Sequence, residues 1–100
     1  MKAIWNNQVI AEAPEAELIR IEGNFYFPQT ALNKQFYTAS DHHTTCHWKG
    51  EASYYDVTVD GKKNDFGAWY YPTPKDGAIE RVTHDFSNYV AFWNGIEVTE

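Results

Sequence analysis

From Ala52 to Asp60 the side chains alternate: Ser53, Tyr55, Val57 and Val59 fall on one face, Ala52, Tyr54, Asp56, Thr58 and Asp60 on the other. A period of two is the signature of a strand, not of a helix. The stretch ends on Asp60-Gly61, a turn signal of the hairpin kind. Its partner is Phe66-Gly67-Ala68-Trp69-Tyr70-Tyr71, stopped by Pro72-Thr73-Pro74. Both faces of that partner carry aromatic side chains, so it is either covered on both sides or faces a pocket.

The rest of the chain repeats this punctuation. Ala3-Ile4-Trp5, Asn6-Asn7 and Gln8 to Ala13 read as a hairpin, because adjacent Asn residues tolerate the positive φ of a tight turn. Pro14 stops the second arm. Glu17 to Ile21 alternates, Glu22-Gly23-Asn24 turns, and Phe25-Tyr26-Phe27 returns as a short strand closed by Pro28. Gln29 to Lys34 is long enough for one or two helical turns leaning on a sheet. Phe36-Tyr37-Thr38 is extended, and Ala39 to His43 reads as a polar loop. Ala78 to Val82 is a candidate short helix. Tyr89 to Trp93, Asn94-Gly95 and Ile96 to Val98 read as a closing hairpin. About eight short strands with little helix imply one all-β domain over residues 1–100, built from packed sheets or an open barrel.

Charge excludes several functions. Eight Lys and Arg against fourteen Asp and Glu give a net charge of −6, with no basic stripe to displace counterions from nucleic acid or to hold an anionic membrane. The start of the chain shows no apolar signal-peptide core, and the longest apolar run, Tyr89 to Trp93, is far short of a membrane span. A single cysteine forms no internal disulfide and is too few for the usual structural zinc site. These features predict a soluble protein of the reducing cytoplasm, a monomer or homodimer, folding without metal or cofactor.

Chemistry concentrates in Thr44-Thr45-Cys46-His47-Trp48-Lys49-Gly50-Glu51, with His42 and His43 just before it. Cys46 is a candidate nucleophile or redox thiol if Lys49 or an imidazolium favours the thiolate, and otherwise a small inert core residue. His47 is adjacent to it and on a strand would point to the opposite face, so His43 or His84 is better placed as a base. His42, His43, Cys46 and His47 do not have the spacing of convergent metal ligands on an extended chain. Trp48, Trp69, Tyr71 and Trp93 with Lys49 and Arg20 compose a candidate ligand pocket, the rings stacking a planar molecule and the cations pairing an anionic group. The same residues also suit an aromatic core with snorkelling Lys and Arg stems. Glu51 and Asp56 read as solvated charges on a strand face.

Four segments carry a family resemblance: Phe25-Tyr26-Phe27-Pro28, Thr45 to Tyr55, Ala68-Trp69-Tyr70-Tyr71-Pro72-Thr73-Pro74, and Val90-Ala91-Phe92-Trp93 continuing through Val98. In that order they resemble the domain of unknown function 427 family of small bacterial proteins, over nearly the whole chain. The resemblance implies a mainly β, β-tent-like (Mss4-like) domain: two small antiparallel sheets splayed from a seam, one or two short helices, and a groove between. Relatives of that fold include methionine sulfoxide reductases and aromatic-cage binders, many with a four-cysteine zinc site that this chain lacks. Where the family often has proline after the cysteine, this chain has His47. The nucleotidyltransferase-like label the family has carried finds no Gly-rich phosphate cradle here. Three functions follow as expectations: a small-molecule binding domain with an aromatic groove, a thiol-dependent enzyme centred on Cys46, or a structural and protein-interaction module.

Overall fold

The computed structural model describes residues 1–100 as a mainly β fold. Strands β1 (Lys2–Trp5) and β2 (Gln8–Glu12) form the first hairpin, with Asn6 and Asn7 at φ 50° and 63° as its two turn residues. β3 (Ile19–Ile21) and β4 (Asn24–Tyr26) form a second, turned by Glu22 and Gly23 at φ 52° and 84°. Two single turns of 3-10 helix, Gln29–Ala31 and Lys34–Phe36, lead into β5 (Tyr37–Cys46). β6 (Gly50–Val59) and β7 (Lys62–Tyr70) follow, then the five-residue helix α1 (Ala78–Val82), β8 (Val90–Phe92) and β9 (Glu97–Thr99). All sheets are antiparallel and there are three of them, in orders β2-β1-β9, β3-β4 and β5-β6-β7-β8.

The alternation of β6 places it inside the four-stranded sheet with one core on each face. Val57, Val59, Ala68, Val90 and Phe92 join Ala3, Ile10 and Phe27 on the side of the N-terminal sheet. Ala52, Tyr54 and Ala91 join Ile19, Ile21, Tyr26, Tyr71, Ala78 and Phe86 on the side of the β3-β4 ribbon and α1. The ribbon is tied down where Phe27 and Val90 exchange N–H to C=O bonds of 2.8 Å each way. Tyr26 and Phe27, both fully buried, thereby insert into different cores.

Two segments differ from the sequence reading. Ala39 to His43 is part of β5, not a loop: Ala39 pairs Tyr55 and His43 pairs Ser53, so Ser40, Asp41 and His42 bulge opposite the single residue Tyr54. The segment looks like loop because β5 is an edge strand, whose outer side chains stay wet and polar. The closing hairpin is the second correction. Asn94 and Gly95 do turn the chain, at φ 52° and 86°, but β8 pairs with β7 while β9 crosses to pair with β1. Strand and turn signals are local, whereas choice of partner depends on which sheet edge is free.

Candidate functional site

A second bulge, on the other side of β6, prepares one wall of a cleft. Tyr55 pairs Ala68 and Val57 pairs Asn64, leaving Asp65, Phe66 and Gly67 opposite Asp56. Phe66 sits at φ 60°, a costly conformation for a bulky residue, and its N–H donates to Asp56 Oδ1 at 3.0 Å. Asp56 is therefore a buried bulge cap that also pairs with Lys63 at 3.5 Å, not the solvated charge its place in the alternation suggests. Glu51 does lie exposed. The Phe66 carbonyl, turned out by the bulge, accepts the indole N–H of Trp93. The Trp93 N–H of the main chain donates to Gly67 O at 3.1 Å, so ring and backbone are both fixed to the bulge.

Trp69 forms the adjoining wall. Its indole N–H donates to Tyr26 Oη at 3.1 Å, and its ring meets Tyr26 at 6.1 Å and Trp93 at 5.9 Å, edge to face in both cases. Tyr54, paired with Trp69 across β6 and β7, closes a third side with its hydroxyl 2.8 Å from Thr44 Oγ1. His42 from the β5 bulge stacks on Phe66 at 4.2 Å and leans on Tyr54 at 4.8 Å.

Lys49 makes the polar end. It is the last residue of the turn His47-Trp48-Lys49 between β5 and β6, where Cys46 pairs Gly50. Gly50 has φ 113° and lies under the Thr73–Lys75 segment; a Cβ there would sit 3.1 Å from Lys75 N. Lys75 N in turn donates to Lys49 O at 2.9 Å. A snorkelling stem would leave the Lys49 ammonium wet, but it is buried: its side chain is 9% exposed, and Nζ lies 2.5 Å from Glu22 Oε1. Nζ also stands 5.4 Å from the Trp48 ring centre and 5.5 Å from that of Tyr71.

The electrostatics follow from that burial. Desolvation pushes the Lys49 ammonium down, but the Glu22 hydrogen bond and the Tyr26 and Tyr71 phenols outweigh it and raise it to about 12. Burial pushes Tyr71 up to about 12 against the opposing pull of Lys49, so its phenol stays protonated. Tyr26 is raised by burial in the same way. The hydrogen bond from Lys49 holds Glu22 below the ordinary carboxyl value.

The resulting cleft has a volume of about 170 Å³ and is lined by Lys49, Tyr54, Trp69, Tyr71 and Trp93. Four of these residues are named by the sequence. Trp48 and Arg20 are not among them. Trp48 lines a different depression, its ring covered by the Arg81 guanidinium at 4.3 Å, and Arg20 packs on Phe25 at 5.0 Å from the exposed side of β3. Tyr54, Glu22 and Tyr26 are the residues sequence reasoning misses. The alternation does assign Tyr54 a face, but nothing local joins Glu22 to a lysine 27 positions away.

Cys46 is free and half-buried, packed with Trp48 against the second core and outside the cleft lining. His43 Nδ1 faces Ser53 Oγ at 3.3 Å instead of the thiol, and His84 lies beside Asp85 and Tyr89 in a different depression. His47 opens the turn and is exposed, so it does not share a strand with Cys46. No three His, Cys, Asp or Glu side chains converge to hold a metal ion. The depression beside His84 is larger, about 480 Å³, but it has no Trp, Lys or Arg, and its Asp85 carboxylate is committed to Ser87 N at 3.0 Å and Ser87 Oγ at 2.5 Å. No helix is long and apolar enough to cross a membrane.

A family model described as a domain of unknown function (DUF427) matches residues 1–100. No curated protein matches the chain.

Proposed function

The chain belongs to the DUF427 family, and from the geometry of its cleft we propose that it binds a small planar molecule whose hydrogen-bond acceptor is directed at Lys49. One observation carries this reading. Both indole N–H groups of the cleft are already donated inside the protein, Trp69 to Tyr26 and Trp93 to Phe66 O. The walls therefore offer π faces without free donors, and polarity is confined to the Lys49 and Tyr71 end. That end supplies a protonated ammonium and a protonated phenol, which together call for an acceptor on the guest. Trp93 remains 47% exposed although it is the one large hydrophobic side chain left so open. An indole pinned by its N–H at a cleft mouth suits a stacking partner better than it suits a core.

A volume of about 170 Å³ is small for a ligand site and matches a single ring with one substituent. Benzamide is a suitable probe. Titrated into uniformly 15N-labelled protein, a bound probe shifts the indole resonances of Trp69 and Trp93 and leaves that of Trp5, in the opposite core, in place. Shifts spread over all four indoles, or none at millimolar probe, would sink the proposal. Cys46→Ala separates it from a thiol-centred function, because the cleft lining does not include Cys46 and binding should persist.

A further inference from the structure

Lys49 is the only charged residue lining the cleft, and it already has a counter-ion. Resting on the binding reading above, we infer that Glu22 sets the charge class of the guest: the cleft accepts a neutral planar carbonyl or amide compound and rejects the corresponding carboxylate. Glu22 is thus a specificity-determining residue that reaches the ammonium from outside the cleft.

Glu22 Oε1 lies 2.5 Å from Nζ, and no other cation enters an ion pair with Glu22. A guest carboxylate touching Nζ would be a second anion on one ammonium, stripped of water by the surrounding rings. The Arg81 guanidinium is stacked on Trp48 and does not line the cleft, so it is not placed to offset that second anion. A neutral carbonyl accepts from the same ammonium without adding charge, and the Tyr71 hydroxyl can serve its second lone pair.

Glu22 is also held where it acts. It is the first residue of a two-residue turn, at φ 52°, between strands whose flanking pairs are Ile21 with Asn24 and Arg20 with Phe25. The turn fixes the origin of the side chain, and the favourable contact with Lys49 keeps the carboxylate ionised below its ordinary range. Its other face is open to water, with the side chain 56% exposed. Water on that face solvates the carboxylate while the ammonium stays buried.

The test compares benzamide with benzoate, read by the Trp69 and Trp93 indole shifts, in the unaltered protein and in Glu22→Gln. The expected result is benzamide bound about tenfold or more tightly than benzoate by the unaltered protein. In Glu22→Gln, benzoate should gain about tenfold while benzamide changes little. Glu22→Asn removes the same charge with a residue that tolerates positive φ, and it should give the same inversion if the Gln variant folds poorly. Benzoate bound more tightly than benzamide by the unaltered protein, or an unchanged ratio in both variants, overturns the inference while leaving the cleft as a binding site. If neither probe moves the two indoles in any of the three proteins, the binding reading fails and this inference fails with it.

Discussion

Trp69→Ala tests whether the wall of the cleft is also structural. The ring makes two edge-to-face contacts, with Tyr26 and Trp93, each worth about 0.5–1.5 kcal/mol beyond area burial. Its N–H donates to Tyr26 Oη, a net contribution of about 1 kcal/mol, and the phenol keeps Lys49 as a neighbour when that bond is lost. Deleting a fully buried Trp costs about 3–5 kcal/mol, but Trp69 is half-buried and water can enter the vacated cleft. The expected loss is therefore about 3 kcal/mol, at the lower end of that range. In a chain of this length it lowers Tm by on the order of 15 °C. Urea denaturation followed by far-ultraviolet circular dichroism measures it without relying on indole emission. Trp93→Ala is the internal comparison: at 47% exposed it should cost only about 1 kcal/mol, while abolishing probe binding just as Trp69→Ala does. A Trp69→Ala loss below about 1 kcal/mol would refute the packing argument. Loss of cooperative unfolding would show that the wall cannot be separated from the core.

Glu22→Gln should also flatten the acid limb of stability. Because Lys49 lowers the folded carboxyl below its usual 4.5, the stabilisation is complete above the unfolded value and is lost as pH falls through the folded one. Urea midpoints of the two proteins should therefore converge as pH drops below about 4. Asp56→Ala leaves the Phe66 N–H without its partner in a strained bulge, and should cost about 1–3 kcal/mol with faster amide exchange at Phe66 and Gly67. In Gly67→Ala the new methyl would stand 2.8 Å from Asn64 Oδ1 and 2.9 Å from Ile96 Cδ1. Overpacking should cost about 1–3 kcal/mol by denaturation and should loosen the Asn64 Nδ2 bond to Asn94 O.

What this sequence determines by itself is local. The alternation of Ala52–Asp60 and the paired turn residues Asn6-Asn7, Asp60-Gly61 and Asn94-Gly95 are legible because side-chain period and positive φ are properties of neighbours in the chain. Aromatics on both faces of β7 leave two readings, cover on both sides or a pocket, and the structure shows both: a core packs on each face, and Trp69 lines the cleft. Residue type alone nominates Trp48, Lys49, Trp69, Tyr71, Trp93 and Arg20 for a pocket, and four of the six line the cleft. The tertiary structure decided the rest. Only the pairing of β8 with β7 and of β9 with β1 shows that Asn94-Gly95 bridges two sheets. Only the bulges on both neighbours of β6 bring His42 and Phe66 into a stacked contact, because extra residues are detectable only against a partner strand. Above all, the state of Lys49 depends on Glu22. Burial and pairing of an ammonium are set by groups distant along the chain, so a lysine that reads as a snorkelling charge becomes a buried ion whose counter-ion arrives on the turn of another sheet.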